Sequence, residues 1–259
     1  MSESEELVRM SIAGQVATVT LDSPGNRNAL SRRLGAQLTE HLTEADAHDD
    51  VRVIVLTHTG GTFCAGADMG EAVRDGMERG TRALLDLLLT VVALPTPVLA
   101  LVRGHVRAGG VGLVGACDLA LVSDSSTFAF TEVRLGLTPA IISLTTRSML
   151  SERDAAWLYL SGEVFDGPAA ADYGLVTRSL PDAELAPALA DVLATFASSS
   201  PQGLRETKAL LNQPRLARIA EEGERMVQLS SRLFGSDEAR EGMSAFKERR
   251  PPRWAAAQE

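Results

Sequence analysis

The sequence contains very little cysteine: only Cys64 and Cys117 occur among its 259 residues. Two cysteines cannot supply a disulfide framework, and such usage fits a protein of the reducing cytoplasm. The N-terminal stretch MSESEELVRM is acidic and lacks the apolar segment of a secretory signal. We therefore expect a cytoplasmic protein.

A basic surface is also lacking. The formal net charge is -9, and no run of lysine and arginine with interleaved aromatic residues occurs, so we expect no nucleic-acid partner. A few local arginines can still bind a phosphate-bearing ligand in an acidic protein. The four histidines show no H-x-x-x-H spacing, and the sequence therefore predicts no metal site.

No hydrophobic run is long enough to predict a membrane span. The most apolar stretch, residues 84–102, contains Asp86 and is divided by Pro95 and Pro97. That pattern is typical of a helix, a turn and a buried strand. We expect no membrane association.

Strands and helices alternate in the first part of the chain, and helices dominate after about residue 140. Alternating or continuous apolar runs predict strands, and Ser31 is a candidate cap of a helix that runs to about His48. The predicted strands are 15–21, 51–59, 97–102, 118–124, 127–132 and 175–180. The predicted later helices are 71–93, 151–161, 167–173, 183–198, 201–212 and 215–247. This order indicates an α/β core over residues 1–195 and a helical region over 196–259.

The stretch RAGGVGLVGACD contains the spacing G-x-G-x-x-G at Gly110, Gly112 and Gly115. A dinucleotide-binding turn needs a strand directly before the first glycine, a helix of ordinary length and an acidic residue about 20 positions on. Here the predicted strand ends near Val102, the helix has room for about two turns, and Asp124 comes too early. The context argues against a dinucleotide site.

Two glycine-rich turns favour another interpretation. FCAGAD at 63–68 and AGG at 108–110 each follow a predicted strand. Backbone N–H groups at such turns and at helix N-termini bind negative charge, and two turns could direct them at one oxygen, as in an oxyanion hole. The alternative is that the glycines serve only to let the two turns pack tightly.

Three longer stretches carry a family resemblance. TFCAGADMGE, VRGHVRAGGVGLVGACDLALVSDSSTFAFTE and EVRLGLTPAIIS resemble the enoyl-CoA hydratase/isomerase family, also called the crotonase family. The segments DSPGNRNAL and EGMSAFKERRPPRW are similar to the family's two ends. The resemblance implies a crotonase-like α/β spiral of ββα turns with C-terminal helices that support trimers or hexamers. It also implies an acyl-CoA thioester as substrate, with coenzyme A as part of that substrate and no separate cofactor.

The resemblance assigns roles to individual residues. The N–H groups of Ala67 and Gly109 would bind the thioester oxygen, and Glu132 would be the catalytic acid/base. The first of two glutamates common in family hydratases would fall at position 112, where this chain has Gly112. The implied contacts to the substrate and its coenzyme A are Arg27, Ala29, Ala65, Gly66, Asp68, Gly110, Phe246 and Lys247, although Asp68 is expected to be structural.

Three functions stay open. The sequence around Gly112 and Glu132 is similar to that of a hydratase branch of the family, so we expect hydration of a 2-enoyl-CoA. One glutamate alone also suits a 3,2-enoyl-CoA isomerase, and a non-catalytic acyl-CoA-binding protein is the third candidate.

The surroundings of Glu132 can be predicted in two ways. An apolar pocket would raise its pKa; the candidates for that pocket are Phe128, Phe130, Leu135, Leu137 and Ile141. The alternative is an ion pair with Arg134. Arg107 is a weaker candidate, since it could meet a carboxylate on the substrate. His105 and Cys64 are expected to be packing or surface residues.

Overall fold

A computed structural model describes residues 6–71 and 78–255 of the chain. Its strands form two sheets. The first has the order β1-β2-β3-β5-β7-β10 and consists of Val8–Ala13, Val16–Leu21, Val53–His58, Val98–Val102, Leu119–Ser123 and Arg178–Leu180. The second has the order β4-β6-β8-β9 and consists of Thr62–Cys64, His105–Arg107, Thr127–Ala129 and Phe165–Asp166. Within the described residues the β1–β2 and β8–β9 pairs are antiparallel, and the other strand pairs are parallel.

Helices follow or cover these strands. In chain order α1 to α9 are Arg32–Asp46, Glu78–Ala93, Gly109–Ala116, Ala140–Thr146, Glu152–Ser161, Gly167–Asp172, Asp182–Ala197, Pro201–Phe234 and Asp237–Glu248. Short 3-10 helices lie at Pro24–Asn26 and Thr131–Leu135. None of the helices in the described ranges is long and apolar enough to cross a membrane.

A repeating unit explains the architecture. β3, β5 and β7 of the first sheet each lead within a few residues into a short strand of the second sheet, β4, β6 or β8. The corners stack closely, since a Cβ on Gly104 would lie 2.4 Å from the carbonyl oxygen of Gly61. His105 N–H donates to that same carbonyl at 3.1 Å. The stacked turns form the spiral that the resemblance implies.

The core lies on both faces of the first sheet. The first four residues of β3 are buried, as continuous apolar strands between two layers are. On one face Leu38 and Leu42 of α1 belong to the main apolar cluster. On the other face Leu185 of α7 packs with Val55 of β3.

The helix α8 is fastened to the core by a buried ion pair. Lys208 Nζ lies 2.8 Å from Oδ2 of Asp118 and also donates to the carbonyls of Val91 and Thr96. Asn212 donates to Oδ1 of Asp118 at 2.9 Å. The charges are therefore paired and hydrogen-bonded, which a buried charge requires.

Several boundaries differ from the prediction. The predicted break between 212 and 215 is wrong, because α8 continues through Pro214 and ends at Phe234. Packing of buried residues on both sides of Pro214 outweighs the single hydrogen bond that proline cannot donate. The strand β1 was not predicted. Residue 195 lies in the last turn of α7, and the division into two regions there stays a prediction.

Candidate active site

Three turns meet at one edge of the second sheet. β4, β6 and β8 are parallel neighbours, so their carboxyl ends lie side by side. Ala65 to Ala67 follow β4, Ala108 and Gly109 follow β6, and Glu132 follows β8. The N–H of Ala108 donates to the carbonyl of Ala129 at 3.1 Å, which ties the second turn to the third. The fold therefore gathers all three predicted catalytic positions at one place.

The first turn leaves the N–H of Ala67 free. Gly66 adopts a φ of +90°, a conformation that favours glycine. Its carbonyl accepts from the N–H of Leu30 at 2.8 Å, while Asp68 N–H donates to the Leu30 carbonyl. The Leu30–Ala67 bridge thus engages the carbonyl of Gly66 and the N–H of Asp68. The N–H of Ala67 between them has no partner within the described residues.

The second turn presents the N–H of Gly109, the first residue of α3. Ala108 before it has a φ of +47°, and its carbonyl accepts from Val111 N–H at 2.8 Å. The first N–H groups of a helix have no intrahelical acceptor. The Gly109 N–H has no hydrogen-bond partner in the part of the chain that the structure covers.

These two turns touch each other. A Cβ placed on Gly66 would lie 3.0 Å from Cβ of Ala108 and 3.5 Å from the nitrogen of Gly109. A Cβ placed on Gly109 would lie 3.1 Å from Leu30 Cδ1 and 3.6 Å from Leu84 Cδ2. Two unpaired N–H groups therefore belong to adjoining turns beside aliphatic side chains, where hydrogen bonds to developing charge are stronger than in water.

Glu132 lies on the 3-10 helix Thr131–Leu135. The residue as a whole is half-buried, but its Oε2 is inaccessible and has no hydrogen-bond partner among the described atoms. Burial raises the pKa of this carboxyl to about 7, against a smaller opposing effect of a backbone hydrogen bond. A carboxyl that titrates near neutrality can both accept and donate a proton.

An aromatic stack supports the turn that carries Glu132. The ring of Phe165 lies 5.7 Å from that of Phe128 and 6.3 Å from that of Phe130. The Phe130 ring lies 4.7 Å from Tyr159, whose hydroxyl is 2.6 Å from Oγ1 of Thr146. The sequence predicted Phe128 and Phe130 here. It gave no signal for Phe165 and Tyr159, which come from later segments of the chain.

The remaining predicted pocket residues differ in burial. Ile141 is buried on α4, while Leu135 and Leu137 are half-buried. The helix α9 rests on this turn, because a Cβ on Gly242 would lie 2.6 Å from the Leu135 carbonyl oxygen. Phe246 lies one turn further along α9 with 59% of its surface exposed.

The predicted coenzyme A contacts come from two parts of the chain, the loop before α1 with the turns of the site, and α9. Arg27 is exposed, and its carbonyl accepts from Ala65 N–H at 3.1 Å, so that the Arg27 loop adjoins the first turn. Ala29 is buried in the same loop. Lys247 is exposed on α9 beside Phe246.

Asp68 makes hydrogen bonds within the site loops, and its predicted contact with coenzyme A stays a prediction. Its Oδ1 accepts from the N–H groups of Gly70 and Glu71, and its Oδ2 accepts from Asn26 Nδ2 at 2.8 Å. The carboxylate thus joins the first turn to the loop before α1.

The glycines of the G-x-G-x-x-G stretch are packing residues. A Cβ on Gly110 would lie 2.7 Å from Cβ of Cys64, and one on Gly115 would lie 2.7 Å from Cγ2 of Thr146. The expectation that no strand directly precedes this stretch was wrong, since β6 ends at Arg107. The three-residue strand is too short to be recognised from periodicity. The dinucleotide interpretation still fails, because α3 has only 8 residues.

Three further side chains are occupied by local contacts. Arg107 donates to the carbonyls of Val106 and Thr127 and to Oγ1 of Thr127. Nδ1 of His105 lies 2.8 Å from the same Oγ1. Burial raises the pKa of the Cys64 thiol to about 12, so that the thiol is unreactive at neutral pH.

Comparison with known proteins identifies the family of this chain. The sequence model of the family described as Enoyl-CoA hydratase/isomerase matches residues 11–257. A relative from Thermus thermophilus named "Putative enoyl-CoA hydratase" is 36% identical over 93% of this chain and 98% of its own. Mevalonyl-coenzyme A hydratase sidH of Aspergillus fumigatus is 28% identical over 92% of this chain and 91% of its own.

Solved structures show the same fold. The crystal structure of an enoyl-CoA hydratase from Mycobacterium avium has a TM-score of 0.91 and 47% sequence identity, and the match covers 97% of this chain and all of that one. The chain therefore has the crotonase fold and belongs to the enoyl-CoA hydratase/isomerase family.

Proposed function

We propose that the protein adds water to a 2-enoyl-CoA thioester, with Glu132 as its single acid/base. The observation that carries the proposal is the buried Oε2 of Glu132, which has no partner in the described structure. An unpaired buried carboxyl costs stability, and a proton-transfer role accounts for that cost. The family acts on acyl-CoA thioesters, and the relatives compared above are named hydratases.

The proposed reaction needs few groups. The N–H groups of Ala67 and Gly109 would bind the thioester oxygen and stabilise the negative charge it gains as water attacks C3. Loss of one such donor typically costs about 3–4 kcal/mol. The ionised carboxyl of Glu132 would take a proton from the attacking water and return it to C2. Water and substrate supply all the atoms, so no cofactor beyond the coenzyme A moiety is required.

Isomerisation is the second candidate, and Gly112 favours it. Moving a double bond from position 3 to position 2 requires one base that carries a proton from C2 to C4. The site has one unpaired carboxyl in its described part, which meets that need. Hydration stays first because of the similarity to hydratase sequences.

We also propose that the chain forms homotrimers or hexamers. Leu210 and Leu211 on α8 are 70% and 71% exposed, and adjacent exposed aliphatic side chains mark an interface more often than an isolated one does. Light scattering after size-exclusion chromatography will measure the mass. A monomer at all concentrations would contradict the proposal.

Incubation in oxygen-18 water tests the reaction. The protein would be given straight and branched 2-enoyl-CoA and 3-enoyl-CoA thioesters, and the products analysed by mass spectrometry. We expect a product heavier by one labelled water from a 2-enoyl substrate. An unchanged mass with a displaced double bond would identify an isomerase. Tight binding without turnover of any substrate would identify an acyl-CoA-binding protein.

A further inference from the structure

Gly112 and Ile142 form an unusually close pair. A Cβ on Gly112 would lie 2.5 Å from Cγ2, 2.7 Å from Cβ and 3.3 Å from Cα of Ile142. Cβ atoms in proteins do not approach other heavy atoms below about 3.0 Å, because close-packed interiors leave no room for such overlap. Ile142 is itself only 2% exposed and has no open surface into which it could turn.

The contact is held from both sides. Thr145 Oγ1 donates to the Gly112 carbonyl at 2.9 Å, which fixes α4 against α3. One turn later a Cβ on Gly115 would lie 3.1 Å from the backbone oxygen of Thr145. The two helices thus approach through the two glycines, and a shift of α4 away from Gly112 would break the Thr145 hydrogen bond.

Resting on the proposed function, we infer that Ile142 determines how many carboxylates the site can hold. The side chain of Ile142 fills the space that a glutamate at position 112 would need first. Gly112 and Ile142 are therefore complementary in size: the small residue on α3 makes room for the large one on α4. The site is restricted to single-carboxylate chemistry by packing as well as by the absence of a glutamate.

The neighbouring polar side chains of α4 do not replace the missing carboxylate. Ser143 Oγ donates to the carbonyl of Ala140 at 2.6 Å, and Thr145 Oγ1 uses its proton within the α3–α4 contact. Thr146 Oγ1 is engaged with the Ile142 carbonyl and the Tyr159 hydroxyl. Each of these three hydroxyls already has partners, so among these described side chains Glu132 is the one left to transfer protons.

The distances specify which substitutions admit a glutamate. In Ile142→Ala the Cβ stays, and it stays 2.7 Å from a Cβ at position 112. In Ile142→Gly the nearest atom of residue 142 is Cα at 3.3 Å, a tight but tolerable contact. The experiment therefore compares Gly112→Glu alone with Gly112→Glu/Ile142→Ala and Gly112→Glu/Ile142→Gly, with Ile142→Gly as reference.

Thermal unfolding is the first measurement. We expect Gly112→Glu to lower Tm strongly or to prevent soluble expression. Adding Ile142→Ala to it should restore little of the lost Tm. Adding Ile142→Gly instead should restore Tm to near that of the Ile142→Gly single variant. Gly115→Ala is the matched control: it also introduces a close contact with α4, but with Thr146, so that Ile142→Gly should not rescue it. Equal rescue by alanine and glycine, or a Gly112→Glu variant as stable as the wild type, would overturn the inference.

Hydration kinetics are the second measurement. A positioned acid/base group contributes about 100-fold or more. We expect Gly112→Glu/Ile142→Gly to exceed Ile142→Gly in kcat by at least that factor and to show two ionisations in its pH profile where Ile142→Gly shows one. A stable double variant with the rate and pH profile of Ile142→Gly would overturn the assignment of this space to the site. If the stability pattern holds but neither wild type nor variants hydrate any substrate, the inference about space stands and the proposed function fails.

Discussion

Arg134 does not pair with Glu132, although the two residues share one short 3-10 helix. The guanidinium of Arg134 is directed to the carbonyl of Ser161 at 3.4 Å, and Oε2 of Glu132 has no partner among the described residues. A surface ion pair, the alternative considered from sequence, is therefore absent in the part of the chain described. The Glu132 carboxyl is left buried, raised in pKa and available for proton transfer.

Replacing this carboxyl should abolish turnover while leaving binding intact. Glu132→Gln keeps the size of the side chain but removes the acid/base, and we expect kcat to fall by about 100- to 10,000-fold. Affinity for a saturated acyl-CoA should change little, because the groups that we propose for binding are the backbone N–H groups and the coenzyme A contacts. Steady-state kinetics measure kcat, and calorimetric titration measures the affinity for the saturated acyl-CoA. Wild-type turnover in Glu132→Gln would show that the acid/base is elsewhere.

The same substitution should stabilise the fold at neutral and alkaline pH. Burial raises the Glu132 pKa from 4.5 to about 7, so the folded state binds the proton more tightly than the unfolded state. As pH rises from about 4.5 to about 7, the unfolded carboxyl ionises first, and stability is lost by about 3 kcal/mol. Above pH 7 the loss stays constant, and below pH 4.5 it vanishes.

Thermal unfolding of wild type and Glu132→Gln at pH 5 and pH 8 measures this effect. Tm of the variant relative to wild type should be higher at pH 8 than at pH 5. The difference between the two pH values cancels any packing cost of the glutamine. An unchanged difference would mean that the carboxyl has an ordinary pKa in the folded protein.

Most of the longer elements and the short strands β8 and β10 could be predicted from sequence, whereas β1 and the short strands β4, β6 and β9 were missed. Continuous apolar runs indicated β3 and β5, and the Ser31 side chain does cap α1 by accepting from Leu34 N–H at 3.1 Å. β4, β6 and β9 have two or three residues, too few for any period to appear. Their pairing comes from the stacking of successive turns, a tertiary effect.

The candidate site was predictable only in part. The glycine-rich turns suggested backbone N–H donors, and the family resemblance placed Glu132. The packing of Gly112 against Ile142 could not be predicted from sequence. Ile142 lies 30 positions away, and the contact depends on how α3 and α4 cross. The support by Phe165 and Tyr159 was missed for the same reason.

The contact between the first and second turns, which we propose as the oxyanion-binding turns, can be tested with a matched pair of glycines. Gly66 and Gly14 both have positive φ, +90° and +57°, but nothing lies within 4 Å of a Cβ on Gly14. Alanine at either site should cost about 1–2 kcal/mol of stability for the backbone conformation. Only Gly66→Ala should also push against Ala108 and displace the Gly109 N–H.

We therefore expect kcat/KM of Gly66→Ala to fall about 100-fold or more, the effect of losing an oxyanion donor. Gly14→Ala should retain wild-type activity, since Gly14 lies in the β1–β2 hairpin turn. Enzyme assays on both variants, after circular dichroism has shown that each is folded, provide the comparison. Equal activity of the two variants would mean that the contact between the turns does not position the donors.

Arg27 provides a test of where the coenzyme A moiety binds. Its side chain is exposed and has no ion-pair partner among the residues described, and its carbonyl anchors the first turn through Ala65. A guanidinium at this position can form charge-assisted hydrogen bonds to phosphate. Arg27→Ala should raise KM for an acyl-CoA by about 10-fold or more, the effect of a hydrogen bond to a charged group. KM for the corresponding acyl-pantetheine, which lacks the nucleotide, should stay the same.

Arg52→Ala is the control. Arg52 lies directly before the first residue of β3, and its side chain donates to the carbonyl of Asp49. This substitution should change neither the KM for acyl-CoA nor the KM for acyl-pantetheine. An equal increase in KM for both thioesters in Arg27→Ala would place the phosphates elsewhere and leave Arg27 a purely structural part of the loop.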